Sequence, residues 1–375
     1  LFSLAVATRR NQIKTLIKIK EVYEQGNDSA EQLYEQQKLK DRISITELTT
    51  IQKENVIAQD EFGNQVVVPG GFKLAEDSGT NVKDGIVIED ENENQFVWIP
   101  VSNIDGKGTN RIRVDENTSL ELTLGRYEFK ENNNSTIVQK GEEYKETSVS
   151  NANAGSIGMY KIGNYLEVKD YRESNYLEDD NAENATAKDM EKFTTSVKEN
   201  KGYYIGRYEV GNENNVAVIK KDQEPYTNIQ WYKDYELAKG ISGGVGATTY
   251  LCSSYAWDTA INFIQNTGTE NYATTREGFN ENWYAKEVKD SLGNVIKVAN
   301  EPLRLKTGKT TSKSNIFDMG GNVLEFTTEV IPNTSEPVVL HGGNYYNTFP
   351  AGRRGDVSTS LASGFYGLHS TLFLK

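Results

Sequence analysis

Asn315-Ile316-Phe317-Asp318-Met319-Gly320-Gly321-Asn322-Val323-Leu324-Glu325-Phe326-Thr327 is the stretch whose reading decides the fold. About fifteen residues on comes His341-Gly342-Gly343-Asn344-Tyr345, and the chain closes on Gly367-Leu368-His369-Ser370-Thr371-Leu372-Phe373. Around these motifs lie 375 residues, 36% hydrophobic, 25% charged and 10% aromatic, with 21 tyrosines against 4 tryptophans. That length and aromatic area suffice for a large core, so the chain reads as globular with a polar surface. A net charge of −13 excludes a nucleic-acid partner, which needs clustered Lys and Arg, and disfavours an anionic membrane surface.

Working back from the C-terminal motifs, Pro225-Tyr226-Thr227-Asn228-Ile229-Gln230-Trp231 reads as a strand leading into a helix. Tyr250-Leu251-Cys252-Ser253-Ser254-Tyr255-Ala256-Trp257 reads as a second helix start, capped by Ser253 or Ser254, with Trp257, Ile261 and Ile264 on one face. Phe96-Val97-Trp98-Ile99-Pro100-Val101 is a buried-strand run. The acidic residues between Glu89 and Asn94 read as a solvated hairpin tip in preference to a metal loop.

The order of these blocks resembles the sulfatase-modifying-factor family, the formylglycine-generating-enzyme-like branch of the C-type-lectin-like fold. The resemblance covers roughly residues 95 to 375. It implies an α+β, C-type-lectin-like domain with an N-terminal helical extension. Residues 1–55 read as that extension, on the helical spacing of Ile13, Leu16, Ile17 and Val22. Residues 56–94 read as a β-rich lead-in, and 95–375 as the domain, with a polar insertion at about 130–185. A helix over 186–200 follows that insertion, with Met190, Phe193 and Val197 on one face and Gly202 as its stop. Leu124-Gly125-Arg126-Tyr127-Glu128-Phe129 echoes Ile205-Gly206-Arg207-Tyr208-Glu209-Val210, and each Arg is expected in a buried or half-buried ion pair.

The family contains oxidising enzymes and pure binding modules, and the residues favour binding. Copper-dependent members need two cysteine thiolates near the C-terminus, and this chain has only Cys252, in another block. Iron-dependent members need three histidines; here there are two, His341 and His369, at positions where the family usually carries Arg. These two read as a buried hydrogen-bonded pair, the alternative being a two-His metal site. A Ser-His-Asp arrangement is open by residue count, but no Gly-x-Ser-x-Gly elbow surrounds a serine, and no Walker A loop or dinucleotide fingerprint occurs. No cofactor is required on this reading; the resemblance implies at most a structural Ca²⁺ held by Asn322 and Glu325.

The candidate ligand-binding set is Asn344, Tyr345, Tyr346, Asn347, Phe349, Arg353, Arg354, Asp356, Tyr366 and His369. Tyr and Arg bring large contact area at low entropic cost, and such a mixture is what recognition surfaces use. It is similar to the variable region of retroelement-diversified proteins and to surface- or phage-associated lectin-like domains. The expectation is therefore a displayed adhesive or ligand-binding protein, extracellular, on a cell surface or on a virion. Its partner would be a protein or glycan on a cell surface, with homo-oligomer, filament or virion assembly through residues 1–55. The other readings are a structural subunit of a virion or surface filament and a degenerate enzyme of the same family. Leu1 to Ala7 is apolar and far too short to span a bilayer; it reads as the tail of an export signal or a handle for self-association.

Overall fold

The computed structural model describes residues 42–104, 110–130, 135–138, 182–273, 287–289, 292–310, 312–330, 335–336, 338–346 and 349–375. Most of the regular structure is β-sheet, with few helices, as an α+β fold requires. Two sheets position everything discussed below. The larger has six strands: β1 (Phe72–Leu74), β2 (Val87–Asp90), β3 (Gln95–Pro100), β5 (Gly202–Gly206), β6 (Ala247–Leu251) and β11 (Ser370–Leu374). Their spatial order is β6-β11-β5-β3-β2-β1, and every neighbouring pair is antiparallel. The smaller sheet runs β9-β8-β7-β10, from β7 (Leu324–Val330), β8 (Val338–His341), β9 (Arg354–Val357) and β10 (Tyr366–Leu368), with β7 and β10 parallel. Strand β4 (Arg126–Phe129) pairs with Ser135–Val138.

The β3–β5 register sets Trp98 opposite Tyr204, and their rings meet edge to face at 4.9 Å. Both side chains are fully buried, each worth about 1.5–3 kcal/mol for its burial. Gly202 has no alternative here, because a Cβ would run into the Trp98 indole. The 19-residue helix α1 (Ala182–Asn200) lies on β5 and β11 and docks through Phe193, whose ring meets Tyr203 at 5.2 Å and Phe373 at 5.4 Å. Met190, Phe193 and Val197 are all buried, as their spacing predicts. The helix ends at Asn200, where the sequence placed its end, but the stop is Lys201 at φ +63°, and Gly202 already belongs to the sheet.

Helices α2 (Trp231–Ala238) and α3 (Ser254–Asn266) follow the motifs that announced them. Ser253 is the cap of α3, its Oγ accepting from Ala256 N at 3.1 Å. Trp257, Ile261 and Ile264 are fully buried on the helix's inner side. Replacing Ser253 by alanine should cost about 1 kcal/mol, read as a lowered melting temperature with an unchanged fold.

Two sequence expectations meet a different structure. Residues 42–55 are not helical: Ile43–Ser44 is a strand parallel to Ala58–Gln59, followed by a single 3-10 turn over Ile45–Glu47. The rest of the helical reading, and most of the polar insertion, lie outside the described residues. Residues 56–94 are more than a lead-in, because β1 and β2 form one end of the six-stranded sheet. No helix among the described residues is long and apolar enough to cross a membrane.

A candidate binding face above a buried charge network

The four-stranded sheet carries two loops at its surface, one between β8 and β9 and one between β9 and β10. Each is pinned from below. Gly342 leaves β8 at φ +79°, with Met319 and Trp257 so close behind it that only glycine fits easily. Asn344 is buried, and its Oδ1 accepts from Tyr346 N at 2.9 Å, turning the chain outward. Tyr345 N donates to Asn322 O at 2.8 Å. Above these anchors the Tyr345 ring stacks on Phe365 at 5.3 Å, and Tyr346 leans on the same ring at 6.2 Å. Tyr346 is 52% exposed and Phe365 38%. Beside them the Arg353 guanidinium lies 3.8 Å over the Phe349 ring, and half-buried Tyr366 packs on Phe326 at 5.6 Å. Burial raises the Tyr366 hydroxyl pKa, which the nearby Arg353 charge partly opposes.

Tyr345 and Tyr346 thus meet around Phe365, Phe349 and Arg353 form a half-buried pair of their own, and Tyr366 and Asp356 are half-buried on β10 and β9. Asn347 lies outside the described residues. Arg354, His369 and Asn344 correct the sequence reading, being 1%, 0% and 2% exposed. Arg354 and His369 point inward because each has a carboxylate partner in the core, Asp258 and Glu325. Phe365 is the residue that sequence reasoning passed over: a Phe between Gly364 and Tyr366 looks like core in a linear reading. Exposed Leu361 and Leu303 were passed over for the same reason.

Beneath the face lies a charged network with almost no exposure. Arg126 on β4 bonds Glu329 on β7 at 2.7 Å. Arg354 on β9 bonds Asp258 on α3 at 2.7 Å and reaches toward Glu329 at 3.6 Å. Asp258 also accepts from Tyr127 N at 2.7 Å. Two guanidiniums therefore face two carboxylates and tie four elements together. Burial pushes the Asp258 carboxyl up to about 6, against the pull of Arg354. The second Arg of the internal echo, Arg207, makes its ion pair with Asp77 at 2.8 Å, as the sequence led us to expect.

The two histidines sit on either side of Trp257, their rings 5.4 Å and 5.7 Å from the indole, and do not bond each other. His341 Nε2 is 2.7 Å from Ser254 Oγ, and its Nδ1 is 3.7 Å from Asp258 Oδ1. This is a Ser-His-Asp order, but its imidazole–carboxylate distance exceeds a hydrogen bond and all three side chains are fully buried. Burial and the positive Arg354 and Arg353 keep His341 neutral, well below its ordinary pKa. His369 Nδ1 is 2.6 Å from Glu325 Oε1. Burial lowers His369 to about 4 and raises Glu325 well above its ordinary value.

Asn322 and Glu325, the two expected calcium ligands, each hydrogen-bond to neighbouring protein groups. Asn322 Oδ1 accepts from Leu305 N at 2.8 Å, and its Nδ2 donates to Leu305 O at 3.0 Å and to Glu209. Glu325 is engaged by His369. Among the described residues no group of three or more His, Cys, Asp or Glu is arranged to hold a metal. A separate open groove of about 650 Å³ runs between α1 and the β6–β11 edge over Tyr250 and Phe373, and none of the expected site residues lines it.

No family model matches the chain, and no curated protein matches it. Among solved structures it is similar to CarF, at 15% identity and a TM-score of 0.32 over 47% of this chain and 87% of that one. It is also similar to PvdO from Pseudomonas aeruginosa, at 14% identity and 0.32 over 47% and 82%. Treponema denticola variable protein 1 matches at 13% identity and 0.31, over 46% of this chain and 84% of its own length.

Proposed function

We propose that the chain is a displayed ligand-binding or adhesive protein, with a C-type-lectin-like scaffold supporting a recognition face at the β8–β9 and β9–β10 loops. The observation that carries this reading is the Tyr345–Phe365–Tyr346 cluster. Three aromatic rings in contact, two of them well exposed, are held over a core of buried ion pairs. Aromatic anchors on a rigid base are the usual source of interface energy. The scaffold assignment rests on the order of motifs from residue 95 to 375. A binding module fits better than an oxidising enzyme, because lone Cys252 is fully buried and its thiol pKa is raised by that burial. Display outside the cell, or on a virion, belongs to this proposal, as does a protein or glycan partner on a cell surface.

Phe365→Ala tests it. The variant should retain the parent unfolding free energy within about 1 kcal/mol, because the ring is partly exposed, and should lose roughly 2 kcal/mol of adhesion to a target surface. Adhesion is measured as retention of labelled protein on intact cells of the source community, with Tyr346→Ala alongside. Unchanged retention in both variants, at full fold, would sink the assignment of this face.

A further inference from the structure

The larger sheet leaves a strip of one face open beside α1. The helix packs on β5 and β11. Edge strand β6 lies beyond β11, with Ala247, Thr249 and Leu251 buried and Thr248 and Tyr250 half-buried. Thr248 and Tyr250, with buried Phe373, floor the groove of about 650 Å³, a size within the usual range of small-molecule sites. The Tyr250 ring stacks on Phe373 at 4.6 Å with 12° between the planes, and Phe193 of α1 braces Phe373 at 5.4 Å. From the helix, Lys192, Ser196 and Glu199 line the groove at i, i+4 and i+7, a wall about 10 Å long. That wall is fixed from α2: Tyr235 Oη donates to Asp189 Oδ2 at 2.5 Å, and Lys239 Nζ lies 3.4 Å from the same oxygen. Lys192 stands 3.8 Å from Asp189, too far for a hydrogen bond, and is 64% exposed.

The chemistry of the lining selects the ligand. The carboxylates of Glu191 and Glu199 are matched by the ammonium groups of Lys192 and Lys375, so the groove carries no net charge in a chain of −13. Neither an anion nor a cation gains from it. A peptide cannot add to β6 as a further strand, because Thr249 N already donates to Ser242 O at 3.2 Å. What the groove offers is an aromatic ring among hydroxyl, carboxylate and ammonium groups. A sugar ring is complementary to that mixture, since its C–H face packs on an aromatic ring and each of its hydroxyls both donates and accepts. The geometry points to a glycan site in which a short neutral oligosaccharide stacks on Tyr250 and hydrogen-bonds along Lys192, Ser196 and Glu199. None of the loop-face residues lines this groove, so the site stands independently of that face.

The probe is an array of defined neutral, sialylated and sulfated oligosaccharides, read with the labelled full chain. Retention should be confined to neutral oligosaccharides. In titration calorimetry with one that is retained, Tyr250→Ala should bind roughly tenfold more weakly or worse. Glu199→Gln should lose several-fold, and Phe365→Ala should bind like the parent. Tyr250→Ala removes the stacking partner of Phe373; if that variant unfolds, Glu199→Gln, at an exposed helix position, decides. Retention of charged oligosaccharides alone, retention of none, or parental affinity in both Tyr250→Ala and Glu199→Gln overturns the glycan site. Binding lost in Phe365→Ala but kept in Tyr250→Ala also overturns it and gives the glycan to the loop face, so the two sites fail separately.

Discussion

Replacing Arg354 by leucine is expected to cost about 3–5 kcal/mol, the largest loss available from one substitution near the face. Arg354 is 1% exposed, and its guanidinium stands between Asp258 at 2.7 Å and Glu329 at 3.6 Å, with Tyr127 O at 3.4 Å from Nη1. Without it, Asp258 loses its guanidinium partner, while Glu329 keeps Arg126. The cost is that of stranded charge, not the net worth of the ion pair, because desolvation consumes most of the Coulomb gain when both partners are present. The double variant Arg354→Leu/Asp258→Leu should therefore lose less than the two single losses added together. Chemical unfolding of the four proteins in that cycle measures the difference; strictly additive losses would show that the network is not coupled. His341 should respond as well, since the Arg354 charge helps to depress its pKa.

That network also shows where the sequence stops being legible. The elements were readable: the Trp257 helix with its serine cap, α1 from the spacing of Met190, Phe193 and Val197, and the β3 strand from a run of apolar residues. Each signal is local, a matter of periodicity or a cap within a few residues. The inward turn of Arg354 and His369 is not local. Arg354 finds Asp258 96 positions earlier, and His369 finds Glu325 44 positions earlier. Nothing in Gly-Arg-Arg-Gly or Gly-Leu-His-Ser marks which polar side chain has a buried partner waiting. Both were therefore grouped with surface residues on composition alone. Phe365, Leu361 and Leu303 carried no signal either way, because apolar residues in irregular loops have no period from which a face can be read. The ties between residues 226–230, 303–304 and 358–366 leave no local trace either, since their side-chain and backbone hydrogen bonds span 60 or more positions.

The same buried groups set the response to pH, and the expected result is greatest stability in mild acid. Carboxyls whose pKa is raised in the folded state contribute stability below their unfolded values and lose it as pH rises through the folded value. Asp258, Glu209, Asp234, Asp318 and Glu325 are of this kind, each raised chiefly by burial. The two histidines, lowered by burial, act oppositely and cost stability as pH falls below 6.5. Two of these effects cancel within pairs. His369, lowered to about 4, and its neighbour Glu325, raised by burial, have opposite slopes that oppose each other. Asp258, raised from 3.8 to about 6, is worth about 3 kcal/mol, and its neighbour His341 offsets it with the opposite slope. Glu209 and Asp234 remain, whereas Asp318 is opposed by its neighbour His369. Asp234 is the clearest of them, fully buried on α2 with neither carboxylate oxygen hydrogen-bonded among the described residues. Stability should therefore be greatest in mild acid and decline toward pH 8, which relief of the −13 net charge in acid reinforces. Melting temperatures from pH 4 to 8.5 test this directly, and Asp234→Asn should flatten the alkaline decline by removing one of these buried carboxyls. A maximum at pH 7 or above in the parent protein would mean that these carboxyls are solvated or paired in solution, and the account of the buried acids would fall with it.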